Sequence, residues 1–320
     1  VKVIAKTGRE DIATVYLAET AEGKLIEFAE SLQPPLPIQK KWVITISTLY
    51  GCPVGCRFCD AGGWFEGRIS KDTILAQIDY LVKNRFPAGE IPVEKFKIQF
   101  ARMGEPAFNP SVLDVLESLP ARFDAPGMVI SFSTIAPRGT DKFFKTLADI
   151  KKKHYPGKFQ FQFSLHTTDT KLRDWLIPIK KWEFEKMSDY GKSLSENGDK
   201  KITLNFAWAA GMPVDPDTLV RYFPPDRFLL KVTPVNPTYQ AAKNKIPSVI
   251  PHDDENNVFT VLRTAGYEVI ISIGALEENY IGSNCGQYIT AYKKYGEPIA
   301  GGYRYDFHKF KTTGESLIQS

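Results

Sequence analysis

The sequence has no apolar run that approaches the roughly 18–20 residues needed to span a bilayer, and no signal peptide opens it. No membrane partner is therefore expected, and the expected location is cytoplasmic. Val1 stands where an initiator Met would, so a preceding segment is expected to be missing. A dominant charge sign is also lacking. Lys and Arg number 41 against 37 Asp and Glu, and the resulting +4 is too mild to argue for nucleic acid by itself. Internal repeats and low-complexity stretches are absent. Cysteine is scarce, with four in 320 residues, so no disulfide framework holds the fold. What is present is ample material for a core: 43% hydrophobic and 24% charged residues exclude global disorder. The length suits a single α/β barrel. Three of the four cysteines fall within eight positions, and that clustering needs a chemical reason.

Residues 1–40 alternate short β-like runs, Thr14 to Leu17 and Lys24 to Phe28, around Gly23, then reach Pro34, Pro35 and Pro37. They are read as a β-hairpin extension and a stiff connector. From Lys41 apolar runs alternate with amphipathic stretches. Strands are predicted at Trp42–Thr48, Lys95–Ala101, Met128–Thr134, Phe159–Leu165, Ile202–Trp208 and Phe228–Thr233. Helices are predicted at Lys71–Asn84, Ser111–Ser118, Asp141–His154, Lys171–Asn197, Pro216–Tyr222 and Asp253–Ala265, with a seventh strand at Glu268–Ile273. Six β-then-α units in one direction imply parallel strands with crossover helices. The expected fold is α/β, a partial (β/α)6 TIM-like barrel over 41–288, with a tail at 289–320.

Such folds collect chemistry at the C-terminal ends of their strands. Those positions read Cys52-Pro-Val-Gly-Cys56-Arg-Phe-Cys59, Met103-Gly-Glu-Pro106, Ser131-Phe-Ser-Thr134 and Ser164-Leu-His166. Gly211-Met-Pro213 and Pro234-Val-Asn-Pro237 follow. Core packing alone would not ask for these residues. Three thiolates at C-x3-C-x2-C on a glycine-containing loop can converge on a metal. Zinc needs a fourth Cys or His, and none is in the local loop. An iron–sulfur cluster fits better; three thiolates would leave one iron open to a small-molecule ligand. A zinc knuckle or a chance trio of buried thiols is the competing reading. Glu105, in its Gly-Pro-bracketed turn, could hold an ammonium, or could simply be a turn acid. Ser133, Ser164 and Asn236 could bond a ribose and a carboxylate, or could be turn and cap residues.

The cysteine spacing is that of the radical S-adenosylmethionine (SAM) superfamily. The segments R-M-G-E-P-A-F-N, F-S-L-H-T-T-D-x-x-L-R-D-x-L-I-P-I-K-K, P-V-N-P and N-C-G-Q further resemble the RlmN/Cfr family of ribosomal RNA adenine methyl synthases, in the same order and over about Val1 to Tyr288. The resemblance implies a [4Fe–4S] cluster on Cys52, Cys56 and Cys59. It implies S-adenosyl-L-methionine bound by Gly104 and Glu105, with Phe58 against the adenine. Ser133, Ser164, His166 and Asn236 complete the implied cofactor site. Cys285 matches the cysteine that is methylated and carries the methylene to the substrate, its competing reading being an inert buried thiol. An electron donor such as flavodoxin or ferredoxin is implied, and a monomer is expected. The family's helical accessory domain has no counterpart in these residues; the opening hairpin resembles the extension that follows it.

Two departures alter the expectation. The family's resolving thiol stands seven residues before the first cluster cysteine, where this chain has Thr45. With three of four cysteines in the cluster loop, Cys285 is left alone, and a hydroxyl cannot form the needed disulfide. His166 could accept a proton but cannot pair as a disulfide. Secondly, the stretch before N-C-G-Q is rich in Arg and Lys in the family. Ile270 to Ile281 here holds two acids and no base, which fits poorly with phosphate contacts to the same RNA. Lys151–Lys153 and Lys180–Lys181 are basic runs of the kind that usually form solvated helix faces. The expectation is a radical SAM transferase or related carbon-radical enzyme acting on another substrate, which could be a small molecule, a peptide or RNA. The alternatives are an RNA adenine methyl synthase with a non-standard resolving step, and a catalytically silent, cluster-bearing RNA-binding or regulatory protein.

Overall fold

In the computed structural model the described residues are 1–249, 258–273, 276–283, 288–290 and 308–309. The chain opens with three antiparallel strands, β1 (Lys2–Arg9), β2 (Ala13–Glu19) and β3 (Leu25–Ser31). Then come β4 (Trp42–Ile46), a hairpin of β5 (Leu49–Gly51) and β6 (Phe65–Arg68), and α1 (Lys71–Arg85). Strand–helix pairs follow: β7 (Phe96–Phe100) with α2 (Ser111–Arg122), then β8 (Met128–Thr134) with α3 (Asp141–His154). After β9 (Phe159–Ser164) come two helices, α4 (Thr170–Leu176) and α5 (Phe184–Leu194). Next are β10 (Ile202–Trp208), α6 (Pro216–Tyr222), β11 (Phe228–Pro234) and α7 (Tyr239–Lys243). The described remainder is α8 (Val258–Thr264), β12 (Val269–Ile271), α9 (Leu276–Ile281), α10 (Tyr288–Thr290) and β13 (His308–Lys309). No helix among the described residues is long and apolar enough to cross a membrane.

Strands β4, β7, β8, β9, β10, β11 and β12 pair in that order and all in parallel. On its other edge β4 pairs antiparallel with β3, at Ala29 opposite Thr45, so the N-terminal strands continue the same sheet. Alternation along each strand sorts the faces. Trp42, Ile44, Ile46, Phe96, Ile98, Phe100, Phe132 and Phe163 are buried in the main core with the helices. The opposite face carries Thr45, Lys97, Gln99, Ser131, Ser133, Gln162, Asn205 and Lys231. Parallel sheets usually bury both faces and read as continuous apolar runs. Here one face is polar, and its neighbours bond across it: Thr45 Oγ1 donates to Gln99 Oε1 at 3.4 Å, and Gln162 Nε2 to Ser131 Oγ at 2.8 Å.

The six expected strands and the seventh are all present, β8 and β10 at the predicted bounds. Two expectations need correction. The helix predicted over Lys171–Asn197 is two helices, because Pro178 has no N–H and disfavours helical geometry at Ile177 before it; α5 begins only after Glu183. The opening hairpin is three antiparallel strands of the main sheet, of which β1, charged at Lys2, Lys6 and Arg9, has too little apolar alternation to show. For the helix predicted at Asp253–Ala265, residues 253–257 lie outside the described residues.

Candidate active site

Because the seven strands are parallel, their C-terminal ends share one edge. The cluster loop leaves that edge after β4. It is braced by the β5–β6 hairpin, with Cys52 N donating to Trp64 O at 3.0 Å, and its turn closes with Cys59 N donating to Cys56 O at 3.1 Å. Gly55 has a φ of +67°, and a Cβ on Gly62 would lie 2.8 Å from the Gly55 Cα, so the loop folds back on itself only with small residues. Cys52, Cys56 and Phe58 pack on an apolar cluster that includes Val54, Ile135, Leu176 and Ile177.

The thiols share one electrostatic neighbourhood. Burial pushes the Cys52 thiol up to about 11, against N–H groups of Val54, Glu105 and Gly55 that favour its thiolate. Cys56 is pushed well above the usual thiol value by burial, then by Cys59, Cys52 and Glu105. Three mutually repelling thiolates are a donor set that a soft, multiply charged iron centre would relieve, so the residues fit a cluster. Among the described residues no three His, Cys, Asp or Glu side chains already stand at metal-holding geometry. The thiols are neighbours without being drawn onto a common point.

The Met103-Gly104-Glu105-Pro106 turn follows β7 and is sewn to the loop base, with Thr48 N and Leu49 N donating to Met103 O at 2.8 and 3.1 Å. Gly104 has a φ of +98°, and a Cβ there would meet the Leu49 side chain at 2.5 Å. Only glycine brings the turn this close. Glu105 is buried, its carboxylate accepting from Thr134 Oγ1 at 2.6 Å, Ile135 N at 2.9 Å and Ala107 N at 3.1 Å. Burial still outweighs these bonds and pushes its carboxyl up to about 7. A cation beside it would restore the charge.

His166 adopts a φ of +67° and accepts from Ala207 N at its Nδ1, 3.0 Å away, while its ring meets Phe58 edge-on at 4.8 Å. Burial, then the charge of Arg173, pushes it down to about 3. At neutral pH this imidazole stays uncharged, as a weakened base, and its ring packs against Phe58. Ser133 and Ser164 are half-buried at the ends of β8 and β9, and Ser133 Oγ accepts from Gln162 Nε2 at 3.1 Å. Asn236 is half-buried just past β11; two residues on, Thr238 Oγ1 donates to Phe58 O at 2.7 Å. These three share the edge, and no hydrogen bond joins them to Glu105. Cys285 lies outside the described residues.

Several contributors escaped sequence reasoning. Thr134 and the Ile135 N–H fix Glu105. Arg173, buried behind the loop, donates to Trp182 O and Ile135 O at 3.1 and 3.4 Å, and its charge interacts with Cys56. Arg173 stood inside a quoted motif, so its position was visible though its task was not. Asp60, next to Cys59, accepts from Tyr239 N and Gln240 N at 3.0 and 2.9 Å and ties the loop to α7.

No protein-family model matches the chain. It is 26% identical over 208 residues to a probable dual-specificity RNA methyltransferase RlmN of Synechococcus, covering 63% of this chain and 56% of that one. It is 31% identical over 145 residues to a dual-specificity RNA methyltransferase RlmN of Helicobacter hepaticus, covering 44% and 37%. The chain thus spans about half the length, or less, of these curated relatives. A crystal structure of a radical SAM methyltransferase from Sphaerobacter thermophilus superposes with a TM-score of 0.66 at 20% identity, covering 89% of this chain and 81% of that one. The chain shares the fold of that structure, and its cysteine loop lies at the strand ends. In sequence, the chain is similar over these stretches to the RlmN dual-specificity RNA methyltransferases.

Proposed function

We propose that this chain is a radical SAM enzyme of the methyltransferase type. The observation that carries the reading is the electrostatic contact between the three-thiol loop and the buried Glu105, which makes one site of two separate motifs. Cys52, Cys56 and Cys59 would hold a [4Fe–4S] cluster, and Gly104, Glu105, Phe58, Ser133, Ser164 and Asn236 would hold S-adenosyl-L-methionine. When bound, the pair supplies a reductively generated carbon radical and a transferable methyl group. The chain's own residues prepare that chemistry. Thr134 and two backbone N–H groups aim Glu105, Arg173 favours the Cys56 thiolate, and the apolar wall under the loop excludes water. Flavodoxin- or ferredoxin-type reduction, a monomeric state and a cytoplasmic setting belong to the same reading.

The partial (β/α)6 barrel is also part of it. Lys97 on β7 is pushed down to about 7 by burial first and by Lys231 on β11 next. A flat sheet at about 4.8 Å per strand would hold β7 and β11 about 19 Å apart. Their interaction supports a sheet curled toward its polar face.

For the substrate, Thr45 favours something other than the family's ribosomal adenine, since it stands on the polar face beside Gln99 where a resolving thiol would be needed. The names of the relatives favour RNA equally well. Anaerobic reconstitution tests the class: iron and sulfide should load, SAM should be cleaved on reduction, and Cys52→Ala, Cys56→Ala or Cys59→Ala should abolish both. Stoichiometric zinc without iron would overturn the class, and a loaded cluster without SAM cleavage would favour a silent, cluster-bearing protein. Multiple-turnover methyladenosine formation in ribosomal RNA, without added thiol, would overturn the substrate proposal. A single turnover that Thr45→Cys converts into many would instead favour RNA.

A further inference from the structure

Five lysines gather toward the edge of the parallel strands that lies opposite the thiol loop. Lys41 stands just before β4 and Lys95 just before β7. Lys97 is the second residue of β7, Lys200 lies two residues before β10, and Lys231 is midway along β11. Their charges act on one another. Lys97 feels Lys231, Lys95, Lys41 and Lys200; Lys41 feels Lys95 and Lys231; Lys200 feels Lys95. Residues far apart in the chain therefore surround one amine, that of Lys97. In register it stands between Val43 of β4 and Val129 of β8, so its nearest cross-strand neighbours on the polar face are apolar.

Packing does not ask for this arrangement. A Met at position 97 would extend the apolar neighbours and carry no repulsion. Among the described residues no carboxylate forms an ion pair with Lys97, Lys41 or Lys200. Lys41 Nζ donates to Gln33 Oε1, and the one acid that acts on it is Glu278 of α9. Lys97 is half-buried, and burial, then the four like charges, pushes its ammonium down to about 7. Gathered cations of one sign work against the compact fold until a negative charge enters among them.

We propose that this lysine cluster is a second binding site, for the phosphate chain of a small molecule, with Lys97 at its centre and Lys41, Lys95, Lys200 and Lys231 around it. All five groups are lysines, and an ammonium is a compact point charge that suits phosphate; no planar fork is there to select a carboxylate. A single carboxylate would relieve one neighbour. Two or three linked phosphates meet several ammonium groups at once. The half-buried place of Lys97 favours a small molecule over a nucleic-acid strand, whose backbone would have to enter between the side chains of β4 and β8. The site lies at the other end of the strands from the thiol loop, so the inference stands apart from the radical chemistry proposed above.

Calorimetric titration of the full chain at constant pH tests it, with inorganic phosphate, pyrophosphate and adenosine triphosphate as probes. Pyrophosphate should bind about tenfold more tightly than phosphate. Lys97→Met should weaken pyrophosphate about tenfold, and Lys97→Met/Lys41→Met about a hundredfold. Lys97→Arg keeps the charge and should stay within about threefold of wild type. Lys152→Met/Lys153→Met, on the exposed face of α3, should change nothing. Melting supplies a second readout with opposite signs. Without ligand, Lys97→Met should melt about 2 °C above wild type, because a repelled charge is gone; saturating pyrophosphate should reverse the order. A triphosphate that binds more tightly than pyrophosphate would mark a nucleotide as the ligand, and a weaker one would mark a free phosphate chain. Pyrophosphate affinity within about twofold of wild type in Lys97→Met/Lys41→Met overturns the proposal. So does an unliganded Lys97→Met that melts below wild type, which would make the lysine structural, or single-stranded RNA that displaces pyrophosphate.

Discussion

Glu105 holds a carboxylate in a buried place where three hydrogen bonds do not compensate for lost water. Its carboxyl sits at about 7, so the charged form prevails only above that pH. An ammonium ligand selects the charged form. SAM affinity should therefore rise with pH up to about 7 and level off above it, and proton release on binding should be largest just below that point. Calorimetric titrations at pH 6 and 8 in two buffers check this. Glu105→Gln should bind about tenfold more weakly at pH 8, about 1.4 kcal/mol, and lose the pH dependence. Thr134→Val removes the 2.6 Å bond that favours the carboxylate and should move the midpoint upward by about one unit, as a bond to a charged group is worth about 1.5–3 kcal/mol. At this scale the sequence shows which residues carry charge and thiols, because motifs are written in side-chain identity. It does not show that Thr134 aims Glu105 or that His166 stays neutral. Those depend on which strands become neighbours.

The turn at Gly104 is where elements meet most tightly. A methyl group there must both adopt a φ of +98° and displace the Leu49 side chain, which begins β5. Gly104→Ala should destabilise the protein by about 2–4 kcal/mol, read as a lower denaturant midpoint at unchanged slope, and loosen the cluster loop with it. Asp169 caps α4 by accepting from Leu172 N at 2.8 Å, so Asp169→Ala should cost about 1 kcal/mol. Strands were easy to find because Met128–Thr134 and Ile202–Trp208 are dense in β-branched and aromatic residues between turn signals. Pro178 was in plain view inside the stretch read as one helix; amphipathic spacing on both sides of it hid the break. Strand β1 gave little local sign because it is defined by its partners, β2 on one side and β13 on the other.

Across the whole molecule one lysine of each basic run is internally committed, while Lys152, Lys153 and Lys180 stay exposed. Lys151 pairs with Asp199, and Lys181 pairs with Asp174 at 2.5 Å while donating to Ile177 O. Binding of single-stranded RNA should accordingly depend weakly on salt, with a log–log slope no steeper than about −2, the mark of about three phosphate contacts. Fluorescence anisotropy from 50 to 200 mM salt, about the range in which many-contact binders lose most affinity, measures it. The polar face of the parallel strands has a different consequence. A sheet with one polar face forgoes the apolar burial that would otherwise strengthen it, so its resistance to heat depends on what occupies that side. Saturation at one hundred times a dissociation constant would add about 2.7 kcal/mol, enough to raise the melting temperature by several degrees in a chain this size. Protein purified without its small molecules should thus melt early, and the gain on adding each one ranks the molecules that belong there.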